Sequence, residues 1–196
     1  MESIQLPPGG WLRFWPAFFE PKQADAHMEN LIDDLAWSQR SIRMFGREIP
    51  QPRLTAFYGA HAMAYRYSGL TWHAEPWAGG LAALADAVAK AAGCAFNSVL
   101  CNLYRDGQDS MGWHADDEPE LGVNPVIASV SFGQSRRFDL KPKVKNSAES
   151  VRLTLGHGSV LIMGGDTQHH WVHQIPKTRQ DCEPRINLTF RWIHPS

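Results

Sequence analysis

The chain is poor in cysteine. Its three, Cys94, Cys101 and Cys182, are odd in number and none stands in C-x-x-C spacing. That argues against a disulfide framework and a zinc ribbon, and it fits a reducing compartment. Long apolar runs are missing as well: no stretch approaches the ~18 consecutive apolar residues of a membrane span. The opening "MESIQLPPGGWLRFW" has no basic segment followed by an apolar one, so no secretory signal is read there. Charge of one sign is also lacking, the formal net charge being −1. With no global basic field, any nucleic-acid contact has to come from local patches. These absences lead to the expectation of a soluble intracellular protein with no membrane role, cytoplasmic in a bacterium and nuclear in a eukaryote; a monomer is expected as well. At 196 residues it is suited to one domain with a self-sufficient core.

What is present is patterned. Ala24, Met28, Leu31, Ile32 and Leu35 recur at helical spacing and predict a helix over Pro21–Trp37, with a proline well placed at its start. "GGLAALADAVAKAAG" predicts a second helix closed by Gly93. After Gly93 the period changes. "SVLCNLY", "VIASVSFG", "RRFDLK", "VRLTL", "SVLIMGG", "HWVHQI" and "RINLTFRWI" read as short strands separated by turn residues such as Asp106-Gly107 and Gly164-Gly165. Helices first and a β-rich sandwich or barrel second make an α+β fold.

The last strand poses a question. Its alternation sets Arg185, Asn187, Thr189 and Arg191 on one face and Ile186, Leu188, Phe190 and Trp192 on the other. On an edge strand the polar face is merely solvated. If helices cover the apolar face, the polar one points inward, and two interior arginines then need anions, because an unpaired buried charge is costly.

The segment "MGWHADDEPELG" concentrates His114, Asp116, Asp117, Glu118 and Glu120 between two glycines. A solvated turn would account for it. So would a metal site, because residues two apart on an extended segment face the same way and His114 and Asp116 then reach one ion. A third ligand has to come from His157, His169, His170 or His173. Two histidines and a carboxylate on one face of an octahedral ion, with open positions opposite, is the arrangement of non-haem Fe(II) oxygenases. Zinc is the rival, though it favours cysteine in closed sites. Asp109, Asp117 and Glu120 read as solvated surface.

The succession "NLYRDGQDSMGWHADDE", "SFGQSRRFDL", "LGHGSVLIM", "HHWVHQIP" and "PRINLTFRWI" resembles the AlkB family of Fe(II)- and 2-oxoglutarate-dependent dioxygenases, which repair alkylated nucleobases. The likeness runs in unbroken order over about residues 40–193. With "RMFGREIPQPRLTAFYGAHAMAYRYSG" added, it is most similar to the subgroup acting on double-stranded DNA. The resemblance implies a single dioxygenase domain over residues 1–196: an N-terminal extension to about residue 93, with helices and a nucleotide-recognition hairpin lid, then a double-stranded β-helix (jelly-roll) core over residues 94–196. It implies Fe(II), 2-oxoglutarate and O2, with His114, Asp116 and His173 as iron ligands. Asn102, Tyr104, Arg185, Asn187, Thr189 and Arg191 are implied for the cosubstrate. Six residues along a strand is ~20 Å, so the two arginines either converge or serve different ends. Arg185 is expected to fork onto the distal carboxylate, with Arg191 nearer the iron and pairing with Asp116.

The implied reaction is oxidative dealkylation of bases such as 1-methyladenine and 3-methylcytosine in DNA. Decarboxylation of 2-oxoglutarate is coupled to hydroxylation of the N-methyl group, which leaves as formaldehyde. A target base inside a duplex has to be flipped out. By resemblance, Tyr67 and the His114 ring sandwich it, Tyr65 lines the pocket and Glu118 reads its edge. Phe45 is expected as a wedge in the vacated stack, with Arg40, Arg43, Arg47 and Arg53 as a phosphate patch around it; the alternative is that Phe45 packs in the core. Lys141, Lys143 and Lys145 form a second basic run in a loop between strands, read first as a solvated face, with a part in gripping a DNA strand as the alternative that the resemblance implies. The partner is then alkylated DNA, with RNA left open. A related dioxygenase acting on RNA, a protein or a small molecule is the second reading, and a non-catalytic metal- or nucleic-acid-binding barrel the third.

Overall fold

The computed structural model describes residues 1–44, 47–60, 64–67 and 70–194, and side chains outside 42–47 and 61–72. Strands β1 (Glu2–Leu6) and β2 (Gly10–Trp15) pair and lead to helix α1 (Pro21–Asp34). Two antiparallel pairs follow, β3 (Ser41–Met44) with β4 (Arg47–Pro50) and β6 (Ala64–Tyr67) with β7 (Leu70–His73), separated by β5 (Leu54–Gly59). Short β8 (Glu75–Pro76) and helix α2 (Leu81–Ala92) close the first half. The second half runs β9 (Ser98–Tyr104), β10 (Met111–His114), a 3-10 turn at Pro119–Leu121, β11 (Ile127–Gly133), β12 (Arg136–Pro142), β13 (Val151–Leu155) and β14 (Ser159–Gly165). Helix α3 (Thr167–His170), β15 (Trp171–Ile175) and β16 (Arg185–Arg191) complete it.

A major sheet has the order β1-β2-β14-β11-β16-β9-β5-β8, and a minor sheet the order β10-β15-β12-β13. Strands β9 to β16 divide four and four between them, which is the expected double-stranded β-helix within an α+β chain. Period-two alternation explains how the major sheet is covered on both faces. Val99, Cys101, Leu103, Ala128, Val130, Ile186, Leu188 and Phe190 point to one side and pack with Leu31 of α1 and Leu84 and Val88 of α2. Leu100, Tyr104, Ile127, Leu161 and Met163 point to the other and meet Met111, Phe138, Leu140, Trp171 and Ile175 of the minor sheet. Each valine, leucine, isoleucine, phenylalanine or methionine buried among them contributes about 1.5–3 kcal/mol. The polar face of β16 therefore lies inside the sandwich, which settles its orientation.

Two expectations are corrected. Helices do not come first: β1 and β2 precede α1 and extend the major sheet through β2–β14 pairing, while β5 joins it beside β9. Ile4, Leu6, Leu12 and Phe14 alternate inward there, around the Pro7–Gly10 turn. Helix α1 stops at Asp34, short of Trp37, because Leu35 is extended and the Trp37 indole N–H caps the Leu31 carbonyl at 3.1 Å. Its predicted apolar face loses Ile32, which is exposed. Helix α2 ends as expected, with Gly93 at φ 74° donating its N–H to Ala89.

Candidate active site

Strands β10 and β15 set His114 directly opposite His173. Their ring centroids are 4.2 Å apart. Asp116, two residues beyond His114, turns inward and is buried, its carboxylate 3.8 Å from His173 Nε2. The ligand atoms of His114, Asp116 and His173 all lie within 4.8 Å of one another, close enough to share one ion. The His114 Nδ1 lies 2.8 Å from the Gly112 carbonyl, which assigns the proton to Nδ1 and leaves Nε2 for the metal.

Electrostatics prepare the three as ligands. Burial, reinforced by the neighbouring His114 and opposed by Asp116, lowers His173 to about 3. Burial also lowers the pKa of half-buried His114, against the pull of Asp116. Burial alone would raise the Asp116 carboxyl; Arg191, His173 and His114 outweigh it and hold it at about 2. At neutral pH the site therefore offers two neutral imidazoles and one carboxylate, the donor set of Fe(II) oxygenases. The other histidines are placed elsewhere. His157 accepts from the Gly133 N–H at 2.8 Å and faces Asp25 at 3.2 Å, while His169 and His170 are exposed on α3.

The inward row of β16 forms the wall beside the triad. All four of its side chains are buried. Arg191 donates to Asp116 at 2.6 Å. Thr189 donates to Asn187 at 3.1 Å, and Asn187 donates to Ser129 Oγ and the Val130 carbonyl at 2.8 and 3.0 Å. Arg185 donates through Nη2 to Ser131 Oγ at 2.9 Å, with its guanidinium 5.2 Å from the Tyr104 ring centre. Its Nε and Nη1 are buried and have no hydrogen-bond partner among the described residues. Burial, opposed by Tyr104 and reinforced by the Arg136 charge, lowers Arg185 to about 10, so it stays cationic at neutral pH. A buried cation with two undirected donors fits an anion, and a carboxylate matches a guanidinium fork. Arg191 lines one cavity with Asn102, Tyr104, Asn187, Thr189 and the triad, while Arg185 stands six residues along the same strand, opposite Tyr104.

Register explains the company they keep: β16 sets Arg185 opposite Tyr104 and Asn187 opposite Asn102 on β9. Arg53 is a correction. It does not stand in an exposed phosphate patch but is 5% exposed, donating to Asn102 Oδ1 at 2.8 Å and the Ser110 carbonyl at 3.3 Å. That bond fixes the Asn102 amide, leaving its NH2 end for the cavity. Asp109 is a second correction: it is buried and takes three bonds from Arg105, from its N–H at 3.0 Å and its guanidinium at 2.8 and 2.9 Å. Lys141 belongs to β12, and Lys143 pairs with Asp117 at 2.8 Å. Glu118 is half-buried, entering the 3-10 turn. Phe45 lies outside the described residues; Tyr65 and Tyr67 lie on β6, with side chains outside the described set.

One functional residue, Gln168, carries no mark in the sequence. This buried residue of α3 accepts the Asp116 backbone N–H at 2.9 Å and so holds the backbone that aims the carboxylate. The adjacent His169 contacts the Val123 carbonyl, so α3 grips the same loop at a second point. Gln168→Leu is expected to leave the buried Asp116 amide unsatisfied and to lower metal affinity about 10- to 100-fold, the usual cost of losing a ligand's supporting bond. Titration of the metal-free protein with Co(II) measures it, and an unchanged affinity would show that the loop holds Asp116 without help.

The chain matches the family described as the 2OG-Fe(II) oxygenase superfamily over residues 12–191. It is 43% identical to the human "Alpha-ketoglutarate-dependent dioxygenase alkB homolog 3" over 203 residues, covering 98% of this chain and 70% of that protein. It is 39% identical to the mouse "DNA oxidative demethylase ALKBH2" over 175 residues, covering 86% of this chain and 73% of that one. The solved structure of OsALKBH1 superposes with a TM-score of 0.65 at 16% identity, over 97% of this chain and all of that one, a likeness of fold. With a His–Asp–His centre already in place, these matches mean that the chain belongs to the alkB-homologue branch of the 2OG-Fe(II) oxygenases, as a dioxygenase using Fe(II), 2-oxoglutarate and O2.

Proposed function

We propose that the chain removes N-linked methyl groups from bases in DNA, such as 1-methyladenine and 3-methylcytosine, by oxidative demethylation. The observation that carries this is its likeness over 86% of its length to a DNA oxidative demethylase, joined to a metal site of the composition that chemistry needs. Fe(II), held by His114, Asp116 and His173, supplies with 2-oxoglutarate and O2 the oxidising power for a C–H bond. The protein does the rest. Arg185 takes the distal carboxylate of 2-oxoglutarate with the Nε and Nη1 donors that have no partner among the described residues. Asn102 and Tyr104 hold the cosubstrate from β9, and Asn187 and Thr189, bonded to each other, shape the wall without competing for it. Arg191 keeps Asp116 ionised and oriented. The sandwich interior excludes water from the oxidising centre.

On the base side, Glu118 accepts from an exocyclic amine and favours a cationic methylated base. Tyr65, Tyr67 and the His114 ring provide flat surfaces for a flipped base. The chain between β3 and β4 carries Phe45, our candidate wedge for a duplex. Mass spectrometry of single- and double-stranded oligonucleotides carrying 1-methyladenine tests the reading. Loss of one methyl mass that requires 2-oxoglutarate is expected, with a duplex preference that disappears in Phe45→Ala. Consumption of 2-oxoglutarate with no mass change on either strand form would move the activity to another substrate.

A further inference from the structure

Three histidines compete with His173 in the sequence and are left out of the iron site. His169 and His170 are exposed, but His157 is half-buried and built into the fold. It stands in the turn Gly156-His157-Gly158 between β13 and β14, and that turn is held on two sides. On one side the Gly158 carbonyl accepts the Phe18 and Phe19 N–H groups at 2.9 and 3.0 Å, which fixes the approach to α1. Only glycine suits this contact: Gly158 has φ 72°, and a Cβ there would stand 2.8 Å from the Phe19 carbonyl oxygen. On the other side the turn grips the end of β11. The Gly158 N–H donates to the Ser131 carbonyl at 2.8 Å, and the Gly133 N–H donates to His157 Nδ1 at 2.8 Å. A ring nitrogen that accepts carries no proton, which assigns the imidazole proton to Nε2, 3.2 Å from Asp25 Oδ1 on α1.

The two β11 residues that this turn grips are the two that hold Arg185. Ser131 Oγ accepts from Arg185 Nη2 at 2.9 Å, and Gly133 is the cross-strand partner of Arg185. The chains meet tightly there. A Cβ on Gly133 would stand 2.4 Å from the Pro184 carbonyl oxygen, and that oxygen accepts the Gln134 N–H at 3.1 Å. Any shift of Gly133 is therefore passed to the backbone that carries the guanidinium. A guanidinium fork matches a carboxylate in one orientation, so a tilt of that backbone weakens both of its bonds together. His157 itself does not line the cavity of the iron ligands. Its reach to a cosubstrate runs through β11 and the start of β16.

We propose that His157 is a positioning residue for 2-oxoglutarate: its Nδ1, by accepting the Gly133 N–H, sets the end of β11 against which Arg185 is aimed. Asp25 supports it by favouring the tautomer in which Nδ1 is free to accept. The proposal rests on the reading that Arg185 takes the distal carboxylate, and it adds a residue from outside the cavity to that site. Without the imidazole acceptor the Gly133 N–H loses its partner, and the strand end that Ser131 and Gly133 share is fixed from one side only.

The test is calorimetric titration of the Co(II)-loaded protein with 2-oxoglutarate, which involves no turnover. His157→Asn and His157→Gln are compared, because an Asn oxygen falls where Nδ1 stands and a Gln amide falls where Nε2 stands. His157→Gln is expected to weaken binding about 3- to 10-fold, the worth of one ordinary hydrogen bond, and His157→Asn to bind as the wild type does. Co(II) affinity should be the same in all three proteins. In the Arg185→Lys background, where the fork is already lost, His157→Gln should cost less than about 2-fold more, because the two residues act through one contact. A residue that merely supports the fold would lose the same factor in both backgrounds, and that result would overturn the proposal. So would wild-type binding in His157→Gln, or equal loss in the Asn and Gln variants. Should His157→Gln fail to fold, Asp25→Ala, at an exposed side chain, decides: a loss of about 2- to 3-fold is expected, and unchanged binding overturns the proposal. Unchanged binding in Arg185→Met would refute the carboxylate assignment itself, whereas impaired binding there beside wild-type binding in His157→Gln refutes only the role of His157.

Discussion

Asp116→Ala is expected to abolish both metal binding and turnover, and also to weaken the metal-free protein by about 3–5 kcal/mol. The two losses have separate causes. Metal binding fails because the carboxylate is one of three ligands. Stability falls because Arg191, 2.6 Å away and equally buried, loses the carboxylate it donates to. His173→Ala should separate them: it removes a ligand whose burial keeps it neutral, so metal binding is lost without stranding a charge. Urea denaturation of the metal-free proteins measures the difference. Equal stability of the two variants would mean that the Arg191–Asp116 pair does not set the stability of the site.

Arg185→Met should show the opposite sign in the metal-free protein. The guanidinium is buried with two donors unpartnered among the described residues, so a methionine of similar length is expected to leave stability unchanged or raise it. The cosubstrate tells the other half. Losing two charge-assisted hydrogen bonds, at about 1.5–3 kcal/mol each, should raise the KM for 2-oxoglutarate by about 10²–10⁴-fold. Arg185→Lys restores the charge but not the fork, and should fall between the two. Saturation curves with 2-oxoglutarate and thermal melts of the metal-free proteins check both signs. An unchanged KM in Arg185→Met would place the distal carboxylate elsewhere.

Much of the fold and the site is legible in the amino-acid sequence, and the reasons are physical. The alternation in β16 announces a two-faced strand, and its apolar face can be buried only by something like α1 and α2. The spacing of His114 and Asp116 marks a metal face, but four histidines compete for the third place. Spacing alone does not separate them; the family resemblance picks out His173, and pairing across β10 and β15 gives the physical reason. Charge misleads where burial matters: Arg53 and Asp109 look like surface in the sequence, yet each is satisfied by partners on neighbouring chain segments. The first two strands are hidden because the prolines and glycines between them read as punctuation rather than as a hairpin. Gln168 leaves no signal at all. It acts on the backbone of a residue 52 positions away, and neither periodicity nor composition registers such a bond.

The most direct measurement is the stoichiometry of a single reaction on a strand carrying 1-methyladenine. Methyl groups lost, formaldehyde and succinate formed, and 2-oxoglutarate consumed are counted together under limiting substrate. The three clustered ligands lining one cavity predict one of each per repaired base, and none in His173→Ala. Demethylation that proceeds without succinate, or that survives in His173→Ala, would contradict it.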